Sequence, residues 1–318
     1  MNADGFIRDL EAKPAMLRAL ADAHAGDPWT GLERPAHVVF VGMGSSRFAA
    51  LVAASRLRVA GILAVAEHAS ARAGHPGGPG TLAVGISASG TTAETVEALR
   101  RHRAAGSRTV ALTNVPDSPL AATGDSVVLL RAGVEEGGVA CRTYQHTVAL
   151  LLGLEDRLIG ADGATIAGRV RAAADATEEL LASRAGWLAE AVDLLTATQQ
   201  TFVVAPVERL ASAEQGALML REGPRLTADA CETGDWLHVD VYLTKPLDYR
   251  ALLFAGSRFD GELMRWILER GSTLVAVGGE IAGARATIRY RDDDDEVVAL
   301  LVEGLVPELV AAEVWSHG

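Results

Sequence analysis

Cysteine is scarce in this sequence, and long apolar runs are missing from it. The two cysteines, Cys141 and Cys231, are too few for a disulfide framework and lack the spacing of a metal-binding motif. The N-terminal stretch is polar and lacks the apolar core of a signal peptide. No uncharged apolar run reaches the ~20 residues that a membrane span requires. These absences predict a cytoplasmic protein without a membrane partner.

Positive charge is also in short supply. The chain carries 29 Lys and Arg residues against 41 Asp and Glu residues, a formal net charge of −12 at pH 7. This balance disfavours a nucleic acid or an anionic membrane as the main partner. A phosphorylated small molecule would therefore have to be held by local dipoles and hydroxyl groups. The length of 318 residues fits two globular domains of about 150 residues each.

Short apolar segments alternate with helical patterns along the first half of the chain. After a predicted helix over Asp4–His24, strands are predicted at His37–Val41, Ile62–Ala66, Leu82–Ile86, Thr109–Thr113 and Ser126–Leu130. A further long helix is predicted over Val139–Ile159. This alternation is typical of right-handed βαβ crossovers, so we expect a parallel sheet with helices on both faces.

The same rhythm restarts after a stretch over 161–198 that is predicted to be helical throughout. The elements predicted there are strands at 201–205, 251–254, 273–277 and 286–290, and helices at 208–222 and 260–270. The segment that starts at Ser89, SGTTAETVEALRRHRAAGSRTVALTN, also matches the one that starts at Gly256, GSRFDGELMRWILERGSTLVAVGG. We therefore predict an α/β protein of two tandem three-layer αβα domains, over 1–165 and 166–318. The second copy lacks the loops rich in Ser and Gly.

The stretch Ser87–Thr92 carries four hydroxyl residues between a predicted buried strand and a helical pattern. The first amides of a helix have no partner within the helix, and the helix dipole favours an anion there. Hydroxyl side chains add hydrogen-bond donors, and Gly90 allows close backbone approach. The stretch predicts a phosphate site. The alternative is an ordinary N-capped helix, because Ser and Thr are favoured caps.

A second loop, Gly44-Ser45-Ser46, follows the first predicted strand. The surrounding Val41–Arg47 invites a dinucleotide interpretation, with Glu67 as the acid that binds the ribose. Arg47 stands where that fingerprint needs its third glycine, and Gly85–Thr92 has no lysine before its Thr pair, as a P-loop requires. Since the carboxyl ends of parallel strands meet at one edge of a sheet, we expect the two loops to act together.

These loops resemble those of the sugar isomerase (SIS) family of phosphosugar-binding domains. The family's Ser-x-Ser-Gly-x-Thr loop stands here as Ser87–Thr92, its Gly-x-Ser turn as Gly44–Ser46, and a third sugar-contacting segment as Glu136–Ala140. The resemblance implies two SIS domains and a small phosphorylated sugar or amino sugar as ligand. The substrate-binding residues that it implies are Gly44, Ser45, Ser46, Ser87, Ala88, Ser89, Gly90, Thr92 and Val139, with Ala88 and Val139 contributing backbone atoms.

In the second half, Gln215–Glu222 resembles the catalytic segment of the isomerase half of glucosamine-6-phosphate synthase and of its stand-alone relatives. The resemblance implies that Glu222 moves a proton between C1 and C2, and that His238 opens the sugar ring. His238 would come from the other subunit of a homodimer with a shared active site. The sequence departs from the family at Gln215, where an acid is expected, at Met219, where a lysine is expected, and at Val239-Asp240, where Gly-Pro is expected.

The resemblance predicts an aldose–ketose isomerase, or an amino-sugar-phosphate deaminase or deglycase, acting on a hexose-6-phosphate. No metal and no organic cofactor are expected, because an adjacent carbonyl or imine stabilises the carbanion. The alternative is a non-catalytic sugar-phosphate sensor. No amidotransferase domain precedes residue 35, so glutamine-dependent synthesis is not expected. The acidic run Asp292–Glu296 is expected to be a solvated turn rather than a metal site.

Overall fold

The computed structural model describes residues 1–24, 26–161, 163–198 and 200–317. The chain divides into two compact units, each of which contains one five-stranded parallel sheet. The first-sheet unit comprises Met16–Val134 and Arg142–Arg171. The second-sheet unit comprises Met1–Ala15, Glu135–Cys141 and Ala172–Gly318. Among the described residues, none of the helices is both long and apolar enough to cross a lipid bilayer.

Two helices begin the chain, α1 (Ala3–Glu11) and α2 (Lys13–His24), where one was predicted over Asp4–His24. The break follows from Pro14, which has no amide hydrogen to donate to a carbonyl group of the preceding turn. Asn2 caps α1, because its side chain accepts a hydrogen bond from the Gly5 N–H at 2.6 Å.

The first sheet has the strand order β2-β1-β3-β4-β5. Its strands are β1 (His37–Gly42), β2 (Leu63–His68), β3 (Thr81–Ile86), β4 (Arg108–Thr113) and β5 (Ser126–Leu129). The helices that follow in the chain are α3 (Ser45–Val59), α4 (Ala93–Ala104), α5 (Pro119–Thr123), α6 (Arg142–Ile159) and α7 (Gly163–Ser183). Every residue of β3 is buried, as expected for a central parallel strand. All five predicted strands are present, with ends shifted by one or two residues.

The second sheet has the order β10-β9-β8-β6-β7. Its strands are β6 (Gln200–Ala205), β7 (Thr227–Glu232), β8 (Arg250–Phe254), β9 (Thr273–Val277) and β10 (Ala286–Ile288). The α-helices are α8 (Leu188–Thr196), α9 (Leu210–Glu222), α10 (Thr233–Trp236), α11 (Asp260–Arg270), α12 (Glu296–Val302) and α13 (Leu305–His317). Three 3₁₀ helices lie at Arg184–Gly186, Val207–Arg209 and Asp240–Thr244.

Read from β7, the second sheet has the same connectivity as the first, which supports the predicted repeat. Strand β7 was not predicted, because it is an edge strand of sequence TADACE and carries no apolar run. The helix predicted over 161–198 is interrupted by the 3₁₀ helix Arg184–Gly186; Asp162 lies outside the described residues. Helix α6 begins at Arg142 rather than at Val139, and residues 139–141 form a loop.

The N-terminal helix and the segment Glu135–Cys141 belong to the second-sheet unit, whereas the predicted boundary of 1–165 and 166–318 placed both in the first domain. The physical reason is their packing: the ring of Phe6 lies 6.0 Å from that of Trp315 on α13. The Gly137 N–H donates to Asp9 Oδ2 at 2.7 Å. The Lys13 ammonium pairs with the Glu308 carboxylate, and their side chains are only 3% and 1% exposed.

Replacing Lys13 by methionine should destabilise the protein strongly. The substitution leaves the Glu308 carboxylate buried without its partner, and breaking such a pair typically costs about 3–5 kcal/mol. Urea unfolding followed by tryptophan fluorescence measures the change in the free energy of unfolding.

Arg8→Met is the matched control for this substitution. Arg8 pairs with Glu136 within the same unit, but both side chains are more than half exposed, and such surface pairs contribute about 0–1 kcal/mol. A loss for Lys13→Met no larger than that for Arg8→Met would contradict the stabilising role of the buried pair.

Candidate functional site

The two predicted phosphate loops leave the same edge of the first sheet from adjacent strands. Strands β1 and β3 pair in parallel, with Val41 opposite Gly85. A Cβ on Gly42 would lie 3.1 Å from the Ser46 Cβ and 3.3 Å from the Ile86 carbonyl oxygen, so the close approach of the two strand ends favours glycine. The structure therefore brings the loops together within the first-sheet unit.

The loop Ser87–Thr92 is held by its own hydroxyl groups. Ser87 Oγ lies 2.9 Å from Thr92 Oγ1, and Ser89 Oγ lies 2.8 Å from Thr91 Oγ1. The Gly90 N–H donates to Ser87 Oγ at 3.1 Å. Thr92 occupies the N-cap position of α4 without a side-chain cap hydrogen bond, so ordinary capping does not explain its hydroxyl group.

Two carbonyl groups of this loop are turned toward the following loop. The Ala88 oxygen accepts from the Asn114 N–H at 3.0 Å, and the Gly90 oxygen accepts from the Leu120 N–H at 2.9 Å. This arrangement requires a positive φ of 67° at Gly90. With these acceptors engaged, the edge presents hydroxyl groups and the first amides of α4, a combination suited to an anion.

The Gly44–Ser46 turn forms the start of α3. Gly44 occupies the N-cap with φ +51°, a conformation that L residues rarely adopt. Its carbonyl accepts from the N–H groups of Arg47 and Phe48 at 2.9 and 3.0 Å. The Arg47 guanidinium lies over the Phe48 ring, 5.6 Å from its centroid, at the position where a dinucleotide fingerprint needs glycine.

Glu67, the acid that the dinucleotide interpretation required, is engaged elsewhere. Its Oε1 accepts from the His75 N–H at 2.7 Å. A carboxylate held by the neighbouring backbone is poorly placed to bind a ribose. The geometry of this edge therefore favours the phosphate interpretation over the dinucleotide one.

Glu222 ends α9 in the second-sheet unit and is half-buried. Burial raises the pKa of its carboxyl group, the nearby Arg221 and Arg225 lower it, and Glu135 raises it. Among the described residues, no side chain forms a hydrogen bond or an ion pair with this carboxylate. It is a partly desolvated carboxylate with free lone pairs, which suits a general base.

Two departures from the family motif lie on α9 before Glu222. Gln215 is fully buried, and its Nε2 donates to the Ala140 carbonyl at 2.6 Å. An ionised carboxylate could not make this bond, because it has no proton to donate. Met219 is 1% exposed and fills a neutral, buried position. No amine therefore lies at position 219 to form a Schiff base.

The segment that carries Val139 is built into the same unit as Glu222. Val139 is buried, and Glu135 Oε1 accepts from the Cys141 N–H at 2.7 Å, which closes the turn. Glu135 was not singled out from the sequence. Its signal was its position beside the family's sugar-contacting segment.

His238 lies on the turn after α10 and is exposed. Its backbone N–H donates to the Asp235 carbonyl at 2.8 Å. In the described part of the chain, no hydrogen bond joins its imidazole to Glu222. The structure thus does not bring these two side chains together, and a contribution of His238 from a partner subunit stays a prediction.

Comparison with known proteins identifies the first-sheet region. A family model described as SIS domain matches residues 31–154. The chain therefore contains an SIS domain over residues 31–154. It is 32% identical over 253 residues to glutamine–fructose-6-phosphate aminotransferase (isomerizing) of Aeropyrum pernix, and the match covers 76% of this chain and 39% of that protein. This SIS protein therefore spans about two-fifths of the relative's length.

Solved structures with the same fold include two proteins named for sugar-phosphate chemistry. The C-terminal domain of glucosamine-fructose-6-phosphate aminotransferase from Francisella tularensis superposes with a TM-score of 0.85 at 17% identity, covering 98% of this chain and 96% of that one. Glucosamine-6-phosphate deaminase from Thermotoga maritima superposes with a TM-score of 0.77 at 18% identity, covering 99% and 95%. At these identities the likeness establishes the fold.

The second sheet of this SIS protein carries a carboxylate where the first carries its hydroxyl loop. Asp260, at the start of α11, accepts through Oδ2 from the N–H groups of Gly256 and Ser257 at 2.7 and 3.0 Å. These amides lie at the carboxyl end of β8, and an internal carboxylate occupies them. The loss of Ser and Gly in the second copy is therefore accompanied by a replacement anion.

The acidic run Asp292–Glu296 forms the turn before α12, as expected, and its last residue is the first of that helix. Asp293 Oδ1 accepts from the Arg289 guanidinium at 2.8 Å, and Asp295 caps α12 by accepting from the Val297 N–H at 2.8 Å. Nowhere in the described ranges do three or more His, Cys, Asp or Glu residues group as a metal site would require.

Replacing Gly90 by alanine should deform the hydroxyl loop. A Cβ at this position would collide with the Ser118 side chain, and the positive φ is itself unfavourable for alanine. We expect a loss of about 1–3 kcal/mol in the free energy of unfolding, measured by urea titration.

Gly168→Ala supplies the control in the same unit. Gly168 is an exposed residue of α7 with no atom within 4 Å of its Cβ position, and alanine there should stabilise the helix by about 0.5–1 kcal/mol. If both alanine variants were equally stable, the steric requirement at Gly90 would be disproved.

Proposed function

We propose that this protein binds a phosphorylated hexose or amino sugar and transfers a proton between C1 and C2 of its open-chain form. The observation that carries the proposal is the Glu222 carboxylate, which is half-buried and unpaired on the family's catalytic segment. The hydroxyl edge of the first sheet supplies the second requirement, a place for the phosphate group.

The proposal assigns phosphate binding to the SIS loops. The side chains of Ser46, Ser87, Ser89 and Thr92 would donate to phosphate oxygens, together with first-turn amides of α4. Charge neutralisation by Lys or Arg is not a feature of these two loops apart from Arg47, so hydroxyl groups and the helix dipole would carry most of the binding.

The proton transfer follows from the chemistry of a carboxylate beside a carbonyl. Glu222 would remove the proton from C2 of the aldose, and the electron pair would pass to the C1 carbonyl oxygen as an enediolate. Transfer of the O2 hydroxyl proton to O1 and return of the proton from Glu222 to C1 give the ketose. His238 of a partner subunit would first protonate the ring oxygen, which an imidazole can do near neutral pH.

An amino sugar would follow the same route to a different product. Proton transfer from C2 to C1 of a 2-amino aldose gives a C2 imine, and water then releases ammonia to leave the ketose. A Schiff base with the protein is not required, which agrees with Met219 on α9. The likeness to a deaminase and to an isomerising aminotransferase supports this class without choosing between the products.

Glu222→Gln should abolish exchange of the C2 proton with solvent. The amide has nearly the same shape but cannot accept the proton, so we expect a loss of about 10²–10⁴-fold in rate. Fructose-6-phosphate and glucosamine-6-phosphate are incubated in D₂O, and deuterium at C1 and C2 is followed by NMR.

Ser89→Ala is the matched control, because it should weaken binding of the same compounds without removing the base. The opposing outcome is that Glu222→Gln and the unaltered protein both bind these compounds in calorimetry while neither exchanges the proton. That result would contradict the enzyme proposal and support a sugar-phosphate sensor. The buried Met219 in place of a lysine is the feature that favours this second candidate.

The acid limb of the activity profile should report the environment of Glu222. The carboxylate is a base only when ionised, so activity falls as the pH drops through its pKa. Because burial raises this pKa, the limb should lie above that of an exposed glutamate. Glu135→Gln removes a negative charge and should move the limb to lower pH, whereas Arg225→Gln removes a positive charge and should move it to higher pH.

Glu190→Gln, an exposed substitution on α8, is the control and should leave the limb in place. The profiles are measured as kcat/KM against pH for each variant. Shifts of the same sign for Glu135→Gln and Arg225→Gln would contradict the assignment of the limb to Glu222.

A further inference from the structure

A cavity of about 220 Å³ lies in the first-sheet unit, between α4 and the segment 69–80 that joins β2 to β3. The ends of β1 and β2, this segment and α4 all contribute to its lining. No residue of Gly44–Ser46 or of Ser87–Thr92 lines it. The cavity is therefore separate from the proposed phosphate site.

The polar lining of the cavity is mainly basic. The basic residues that line it are Arg72, Arg101, His68, His75 and His102. The single carboxylate in the lining belongs to Glu67 and is engaged by the loop backbone. Its Oε1 accepts from the His75 N–H at 2.7 Å, and a Cβ on Gly74 would collide with its Oε2. The balance of charge therefore favours an anion.

Neither arginine of the cavity is paired with a carboxylate in the part of the chain that the structure describes. Arg72 forms no hydrogen bond there, and Arg101 donates only to the Ala71 carbonyl, at 3.4 Å. The neighbouring Arg100 differs, because it pairs with Glu97 at 2.7 Å. The dipole of α4 accounts for a cation in its last turn, such as Arg101, but not for Arg72, which lies outside the helix.

His102 is the most deeply buried of the basic residues, with 6% exposure. Its Nδ1 is enclosed beside Gly77, whose Cβ position lies 3.0 Å away, and has no hydrogen-bond partner in the described structure. An orphaned acceptor is tolerated more readily than an orphaned N–H, so the ring proton belongs on Nε2. Because His102 lines the cavity and no described residue bonds to Nε2, this N–H is left for a ligand.

The electrostatic surroundings of His102 agree with this assignment. Burial lowers the pKa of its imidazole, Glu67 raises it, and His75 and Arg101 lower it. The ring is therefore neutral at pH 7. A protonated ring would carry a second N–H, at Nδ1, without an acceptor. His102 thus offers a neutral donor beside two guanidinium groups.

We propose that this cavity is a second ligand site, which binds a small polyanion through Arg72, Arg101 and His102. Guanidinium groups bind carboxylate and phosphate oxygens with paired hydrogen bonds, so the ligand carries one or both of these groups. Val41 and Ala98 add apolar surface for a carbon skeleton. Pockets for drug-sized ligands measure about 300–1,000 Å³, so this smaller cavity excludes a nucleotide. The site does not depend on the proposed proton transfer.

The test uses citrate and inorganic pyrophosphate as separate probes of the carboxylate and phosphate classes. Isothermal titration calorimetry at pH 7 and low ionic strength should detect binding of one probe or both, and the probe that binds more tightly identifies the class. Added sodium chloride should weaken binding, because both arginines are exposed. Arg72→Gln and Arg101→Gln should each raise the Kd by about tenfold, since each removes a charge-assisted hydrogen bond.

A third cavity variant, His102→Phe, keeps a ring of similar size and removes the donor. It should raise the Kd while keeping the Tm of the unaltered protein, because His102 has no hydrogen bond to lose in the described structure.

Two control variants complete the experiment. Arg100→Gln makes the same change of charge one residue away on α4, outside the cavity, and should leave the Kd unchanged. Ser89→Ala alters the proposed phosphate loop and should also leave it unchanged.

Absence of binding by both probes would overturn the proposal, and so would a Kd unchanged in all three cavity variants. A rise for Arg100→Gln equal to that for Arg72→Gln and Arg101→Gln would show nonspecific attraction instead of a site. Loss of binding in Ser89→Ala alone would assign the anion to the phosphate loops. None of these results bears on proton transfer by Glu222, which is measured separately.

Discussion

The amides that a parallel strand and the following helix leave without partners are the constraint on which both edges of this protein depend. A backbone N–H that is removed from water must find an acceptor. In the first sheet, the loop Ser87–Thr92 pairs its hydroxyl groups with one another. The Thr92 side chain therefore does not cap the first amides of α4. In the second sheet, Asp260 supplies the acceptor from within. The same strand topology therefore has an uncapped helix start at one edge and amides occupied by an internal carboxylate at the other.

The buried carboxylates of the second-sheet unit also have partners. Glu308 is compensated by Lys13, and Glu303 by Arg209, although burial still raises the pKa of Glu303 to about 7. Glu222 differs from both, because its carboxylate is only half-buried and has no direct partner. A structural carboxylate needs its cation, whereas a base needs free lone pairs.

The replacements on α9 show how a family motif is adjusted to its surroundings. Gln215 keeps a hydrogen bond that an acid could not donate, and Met219 fills a closed position with a neutral side chain. Each change is compatible with proton transfer by Glu222. Neither change bears on the hydroxyl loops, which are formed within the first-sheet unit.

The alternation of apolar and helical segments determined the α/β class and all the strands of the first sheet, because buried parallel strands require continuous apolar runs. Strand β7 could not be predicted in this way, since its sequence, TADACE, carries no apolar run. The sequence likewise predicted that the loop Ser87–Thr92 lies between a buried strand and a helix, which are β3 and α4. Its internal hydroxyl pairs, however, depend on side-chain geometry that residue order does not encode.

Only the tertiary structure decided which residues surround the loops and the base. The N-terminal helix joins the second-sheet unit because Phe6 packs against Trp315, a contact between the two ends of the chain. The role of Asp260 as an internal anion also emerged only from the fold, since any helix can begin with an aspartate. The loop Ser87–Thr92 could be recognised from local chemistry, whereas the pKa of Glu222 depends on its burial and on charges that include Glu135, distant in sequence and near in space.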